Sequence, residues 1–183
     1  MKKLFSVFAV SIILVLILAS GVFAMNSVQL GYEFNGSQKV NNSTVDTDSG
    51  ISLGYQYTMM TKELEYGAGI QYQLPRSLEN NSKAKFNFIP VYGIVNYTFE
   101  SKDYKPYVTG RLGYNVLQAN DTFRTKGTST EGGFYYAVGG GLTFDKVKTE
   151  LLYSFNHGAL DPKIGGNTNI DNRAIDLVVS YQF

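Results

Sequence analysis

From Val28 to the terminal Phe183, apolar side chains recur at every second position in eight separate runs. That period belongs to extended strands, whose side chains alternate between two faces, and not to helices. Val28, Leu30, Tyr32 and Phe34 alternate with Gln29, Gly31 and Glu33. Ile51 to Tyr57 and Leu64 to Leu74 repeat the pattern, with Ser, Gly, Gln and Glu between the apolar positions. The fourth run sets Ile89, Val91, Val95, Tyr97 and Phe99 against Pro90, Tyr92, Ile94, Asn96 and Thr98, a less polar second face. Four more runs follow: Tyr107–Val116, Phe134–Phe144, Val147–Asn156 and Ala174–Phe183. A single all-β domain of eight antiparallel strands is the expectation.

The connections alternate in length. Met59–Lys62, Ser101–Lys105 and Asp145–Lys146 are short. Gly36–Thr47, Pro75–Lys85, Ala119–Gly132 and His157–Asn172 (36–47, 75–85, 119–132 and 157–172) are long and rich in Asn, Ser, Thr and Gly, residues that favour turns and loops. Short turns at one end and long loops at the other describe an up-and-down transmembrane β-barrel of the outer-membrane type. Eight strands put both ends of the domain on the short-turn side, which is periplasmic in that layout. The long connections then face outward as four extracellular loops, where a ligand would be met.

The environment follows from which residues are missing. The polar face carries Gly, Ser, Thr and Gln but few Lys or Glu, whereas a water-facing sheet carries a denser mix of charges. Lipid offers the backbone no hydrogen-bond partner, so a sheet there must close on itself and turn its apolar face outward. The start of the chain agrees. Lys2 and Lys3 precede an uncharged run from Leu4 to Ala24 that ends in small residues, the pattern of a cleaved export signal with its cut after Ala24. Residues 1–24 are therefore expected to be a signal peptide and 25–183 the barrel. Without Lys2 and Lys3 the barrel has 14 cations against 15 carboxylates, so no basic surplus points to nucleic acid. Aromatics near both strand ends suit the two membrane–water interfaces. Phe34, Tyr72, Phe86, Phe88, Tyr114, Phe134 and Phe155 fall near the loop end, and Tyr57, Tyr66, Tyr97, Phe99, Phe144, Tyr181 and Phe183 near the other.

The polar face also holds Glu33, Glu65, Arg111, Lys148, Glu150 and Asp176. Charges in so narrow an interior must be paired and hydrogen-bonded. A polar plug centred on Arg111 with Glu65 and Glu150 is the expected arrangement, and a path for protons or small ions is the alternative. An eight-stranded interior is about filled by side chains, which favours the plug. Catalytic or metal chemistry has little to stand on: there is one His, no Cys, and no spacing that gathers carboxylates. No cofactor is expected.

The last ten residues, Ala174-Ile-Asp-Leu-Val-Val-Ser-Tyr-Gln-Phe183, resemble the C-terminal assembly signal of bacterial outer-membrane proteins, with Leu177, Val179, Tyr181 and Phe183 in the alternating positions. That resemblance implies recognition by the barrel-assembly machinery. Over nearly all of 25–183 the pattern, such as Pro106-Tyr107-Val108-Thr109-Gly110-Arg111-Leu112-Gly113-Tyr114, is similar to the small OmpA/OmpX-type barrels, although no diagnostic motif is present. The chain stops at the barrel, so no peptidoglycan-binding domain is expected. Other small barrels are lipid A deacylases, which use a His with a Ser two residues later. Here His157 is followed at that position by Ala159, so the resemblance lacks its nucleophile. The expected role is structural or adhesive, exercised through the four loops in an outer-membrane lipid setting and not as an enzyme. A narrow pore is the alternative, and a lipid A-modifying enzyme a more remote one.

Overall fold

The structure is a computed structural model that describes residues 23–34, 36–40, 43–78, 81–101, 104–120, 128–162 and 168–183. All regular elements among them are strands: β1 (Phe23–Glu33), β2 (Gly36–Val40), β3 (Ser43–Thr47), β4 (Gly50–Thr61), β5 (Leu64–Gln73), β6 (Arg76–Leu78), β7 (Asn81–Thr98), β8 (Lys105–Ala119), β9 (Thr128–Phe144), β10 (Val147–Pro162) and β11 (Thr168–Gln182). β1, β4, β5, β7, β8, β9, β10 and β11 pair in sequence, and β11 returns to β1 through pairs from Ser27↔Gln182 to Glu33↔Asp176. The ring is a closed eight-stranded antiparallel barrel. The expected leader lies outside the described residues except Phe23 and Ala24, which pair with Met60 and Met59.

Two hairpin turns at the short-connection end have a left-handed residue in first position, Lys62 (φ 49) and Asp145 (φ 52). Positive φ there matches the twist of the flanking strands, so these turns hold the register without a longer loop. The first turn is Lys62–Glu63, a little later than the expected Met59–Lys62, because Met59, Met60 and Thr61 stay in the ladder with Tyr66, Glu65 and Leu64.

The long connections are shorter than expected. Much of 36–47, 75–85, 119–132 and 157–172 is strand: β2, β3, β6 and the outer ends of β7 to β11. Their Asn, Ser and Thr content argued for loops. Neighbouring hairpins nevertheless pair much of this backbone, as in β2 with β3 and β10 with β9 and β11, and satisfying those groups outweighs a weak compositional preference. Segments 41–42, 79–80, 121–127 and 163–167 lie outside the described residues.

β2, β3 and β6 continue β1, β4 and β5, and all three continuations pass through a break: between Phe34 and Gly36, at 48–49 and at 74–75. Each break shifts the side-chain alternation by one position. The inward residues are odd-numbered on β1 and β5 (Gln29, Glu33; Glu65, Gln71) but even-numbered beyond the breaks (Gln38; Arg76). On β4 they are even (Ser52, Gln56), whereas Thr47 on β3 is odd. A one-residue slip exchanges the two faces of a strand. Because three adjacent strands slip together, β1 pairs with β4 below the breaks and β2 with β3 above them. The β5–β7 ladder stops at Ile70↔Val91 and pairing resumes at Arg76↔Phe86. Pro75 and Pro90 lie in that gap and have no N–H to give a ladder.

The two faces of the wall differ in chemistry. Outside, Leu30, Leu53, Leu112, Leu151 and Val179 are exposed, Leu112 by 59%. Inside, Gln29, Ser52, Gln56, Glu65, Asn96, Arg111 and Glu150 are buried. A water-soluble domain would place these two sets the other way round. Gly67 marks a tight place in the wall, because a Cβ there would stand 2.0 Å from the Tyr57 carbonyl oxygen. Gly67→Ala is expected to cost about 1–3 kcal/mol in urea unfolding, since the backbone itself must move.

Candidate functional site: a layered barrel lumen

Among the described residues seven charged side chains are buried: Glu33, Glu65, Glu150 and Asp176 with Arg76, Arg111 and Lys148. All but Asp176 sort into three ion pairs stacked along the barrel. Nearest the short turns, Lys148 donates to Glu65, which also accepts from Thr58 Oγ1 (2.7 Å) and Asn96 Nδ2 (3.1 Å). The Lys148 ammonium lies 5.2 Å from the centroid of the Tyr107 ring. In the middle, Arg111 donates to Glu150, and its guanidinium sits 5.2 Å from the Tyr92 centroid. Tyr92 is in turn 5.4 Å from Tyr135. A cation over an aromatic face keeps part of its stabilisation away from water.

A chain of hydrogen bonds crosses the lumen beside this pair. Gln56 Nε2 donates to the Tyr92 hydroxyl (3.0 Å), that hydroxyl to Gln29 Oε1 (3.2 Å), and Gln29 Nε2 to Ser180 Oγ (3.0 Å). β4, β7, β1 and β11 are thereby tied through the interior. Towards the long-connection end, Arg76 grips both carboxylate oxygens of Glu33, with Nη2 to Oε2 at 2.6 Å. Arg76 Nη2 also donates to Gln73 Oε1 (2.7 Å), and Asn172 Nδ2 to Glu33 Oε1 (3.1 Å). Two-pronged guanidinium–carboxylate contacts fix orientation as well as charge. Beyond them lies a buried apolar cap of Phe86, Phe88, Leu117 and Ile170, with Ala119 and Leu160 against it. Arg76 reaches the Phe86 ring at 5.8 Å.

The six charged residues singled out from the sequence all point inward. The structure divides them differently from the expected cluster: Glu65 belongs to Lys148, and only Glu150 belongs to Arg111. Glu33 pairs with Arg76, a residue placed in a loop by its position after Pro75. Asp176 is next to Glu33 in the register and lies in the field of Arg76 and Arg111, with no ion pair within 4.0 Å among the described residues. Phe86 and Phe88 are not part of an outer aromatic belt. They are 1% and 0% exposed, on the same face as Pro90 and Tyr92, and they build the cap. Phe34, Tyr72, Tyr114 and Phe134 do face outward.

Leu177, Val179, Tyr181 and Phe183 are exposed on the outer wall of β11 and the residue after it. His157 sits on that wall at a bulge between Asn156 and Gly158, where Nδ1 meets Asp171 Oδ1 at 2.5 Å. Ala159 is buried next to it, with no hydroxyl to activate. No group of three metal-ligating side chains occurs among the described residues.

Known proteins with this architecture can now be set beside it. An uncharacterized protein of Pasteurella multocida (strain Pm70), PM1543, is 22% identical over 175 residues, covering 78% of this chain and 70% of that protein. Neisserial surface protein A has a similar fold, with a TM-score of 0.58, 14% identity, and coverage of 90% of this chain and 100% of that one. The outer membrane protein AlkL, solved in lipid bilayers, gives 0.60 at 13% identity, covering 87% and 89%. Ail, the attachment invasion locus protein of Yersinia pestis, solved with the heparin analogue sucrose octasulfate, gives 0.53 at 12%, covering 87% and 99%. At these identities the likeness is one of fold. A family model described as "Outer membrane protein beta-barrel domain" matches residues 7–183. The chain therefore belongs to the outer-membrane β-barrel proteins, and its exposed apolar wall faces the lipid of the cell's outer membrane.

Proposed function

We propose that this protein is a non-conducting barrel that serves as a rigid scaffold for a surface interaction at its long-connection end. The observation that carries this reading is the filled interior: three stacked ion pairs, a cross-lumen hydrogen-bond chain and a phenylalanine cap. Ions crossing it would have to break buried pairs at every layer. Above the apolar wall, the strands run on into a polar rim where Lys39, Thr44, Asp46, Lys85 and Glu131 are exposed. Loops and strand ends held by a rigid scaffold are where recognition is usually built. A neighbour in fold, Ail, carries a heparin analogue in its solved structure, which fits a binding role for such rims. In this reading the rim is extracellular, both ends of the barrel domain are periplasmic, and Phe183 with Tyr181, Val179 and Leu177 addresses the barrel-assembly machinery. The barrel has no catalytic role: His157 is held by Asp171 beside Ala159, where a nucleophile would be needed.

Planar-bilayer recording tests the filled lumen. The protein is expected to give no stable conductance. Well-defined channel steps would replace this reading with that of a narrow pore.

A further inference from the structure

On the outer wall, beside the break between β1 and β2, lies a depression of about 460 Å³. Gly36, Ser37, Asp46, Tyr153, Arg173 and Ile175 are among the residues that line it. Tyr153 and Ile175 belong to the apolar belt, at 41% and 50% exposure. Arg173 precedes Ile175 by two positions on the same outer face of β11, so it is the first charge above the belt on that strand. Its guanidinium lies 5.7 Å from the Phe155 centroid, and Phe155 stacks on Tyr136 at 5.2 Å. Among the described residues no carboxylate is within 4.0 Å of Arg173. In the register Arg173 pairs with Ser37, and Ser37 with Asp46. One row further out Lys39 pairs with Asp171, whose carboxylate is engaged by His157.

An Arg steadied on an aromatic ring loses little freedom when it binds, and its planar fork matches phosphate oxygens. Here that fork stands where the apolar belt ends, above a floor continuous with the lipid-facing wall. We infer that this depression holds the phosphate-bearing headgroup of a membrane lipid. Arg173 donates to the phosphate oxygens, and Tyr153 and Ile175 receive the first acyl carbons. Asp46 accepts from a hydroxyl or ammonium of the same headgroup, which accounts for a carboxylate beside an anion site. A free anion would leave the apolar floor unused. The lipid belongs to the leaflet at the long-connection end. That is the outer leaflet under the orientation proposed above, but the binding itself does not depend on that orientation.

Native mass spectrometry of the full chain in detergent tests this, with phosphatidylglycerol, the matching diacylglycerol and inorganic phosphate titrated separately. Phosphatidylglycerol is expected to give a saturable one-to-one adduct that Arg173→Ala weakens by about tenfold, with Arg173→Lys in between because it loses the two-pronged contact. Diacylglycerol and inorganic phosphate are expected to give none. Arg173→Gln serves as a second variant, polar but uncharged, and heat-modifiable gel mobility identifies the folded ones. Equal phosphatidylglycerol affinity in folded Arg173→Ala or Arg173→Gln would overturn the inference, as would diacylglycerol binding equally well. Inorganic phosphate binding as tightly as the lipid would make this a free-anion site and overturn it too.

Discussion

Arg111→Ala is expected to lower the unfolding free energy by about 3–5 kcal/mol, the usual cost of removing one partner from a buried ion pair. Both members of the Arg111–Glu150 pair are almost wholly enclosed, with side-chain exposures of 0% and 2%. Removing the guanidinium leaves the Glu150 carboxylate without its counter-charge and strips Tyr92 of its cation. Urea unfolding from lipid vesicles measures the loss. The pair also supplies a control. Arg111→Met with Glu150→Leu removes both charges and fills similar volume, so most of the stability is expected to return. If the double variant were as unstable as the single one, the deficit would come from packing and not from an unpaired charge.

The second large effect is expected on the opposite face of the same strand. Leu112→Arg should destabilise the barrel by about 2–4 kcal/mol, the depth-dependent cost of a cation on the lipid face near mid-bilayer. Leu112 sits in the middle of β8, between Gly93 and Tyr136 in the register. Val116→Arg, nearer the rim, should cost only about 0–1 kcal/mol. In water the same leucine, 59% exposed, would tolerate arginine within about 0.5 kcal/mol. The gradient between the two positions is therefore a measure of lipid and not of side-chain size. Refolding yields and urea midpoints in vesicles read it directly.

Barrel, strand number and faces were legible because period two survives in any strand with one face in lipid and the other in a packed interior. Arg76 was not legible. The break at Leu74–Pro75 shifts the alternation, so the odd-numbered inward series of β5 cannot be carried across to an even-numbered residue. The same slip separates Glu33 from Gln38 on the neighbouring strand. Phe86 and Phe88 could have been placed from the sequence, since they share parity with Pro90, Tyr92 and Ile94. Reading them by height along the chain put them in a belt, whereas parity puts them in the lumen. The division of Glu65 to Lys148 and Glu150 to Arg111 depends on stagger between strands distant in sequence, which alternation within one strand does not encode.

Site-directed spin labelling along β8 reaches the central claim most directly, because the chain has no native cysteine to interfere. Single labels from Tyr107 to Val116, in protein reconstituted in vesicles, report accessibility to oxygen dissolved in lipid and to a polar nickel complex in water. Val108, Gly110, Leu112, Tyr114 and Val116 should be open to oxygen, and Tyr107, Thr109, Arg111, Gly113 and Asn115 shielded from both reagents. If Val108, Leu112 and Tyr114 were instead open to the nickel complex, their side chains would face water and the account would be contradicted.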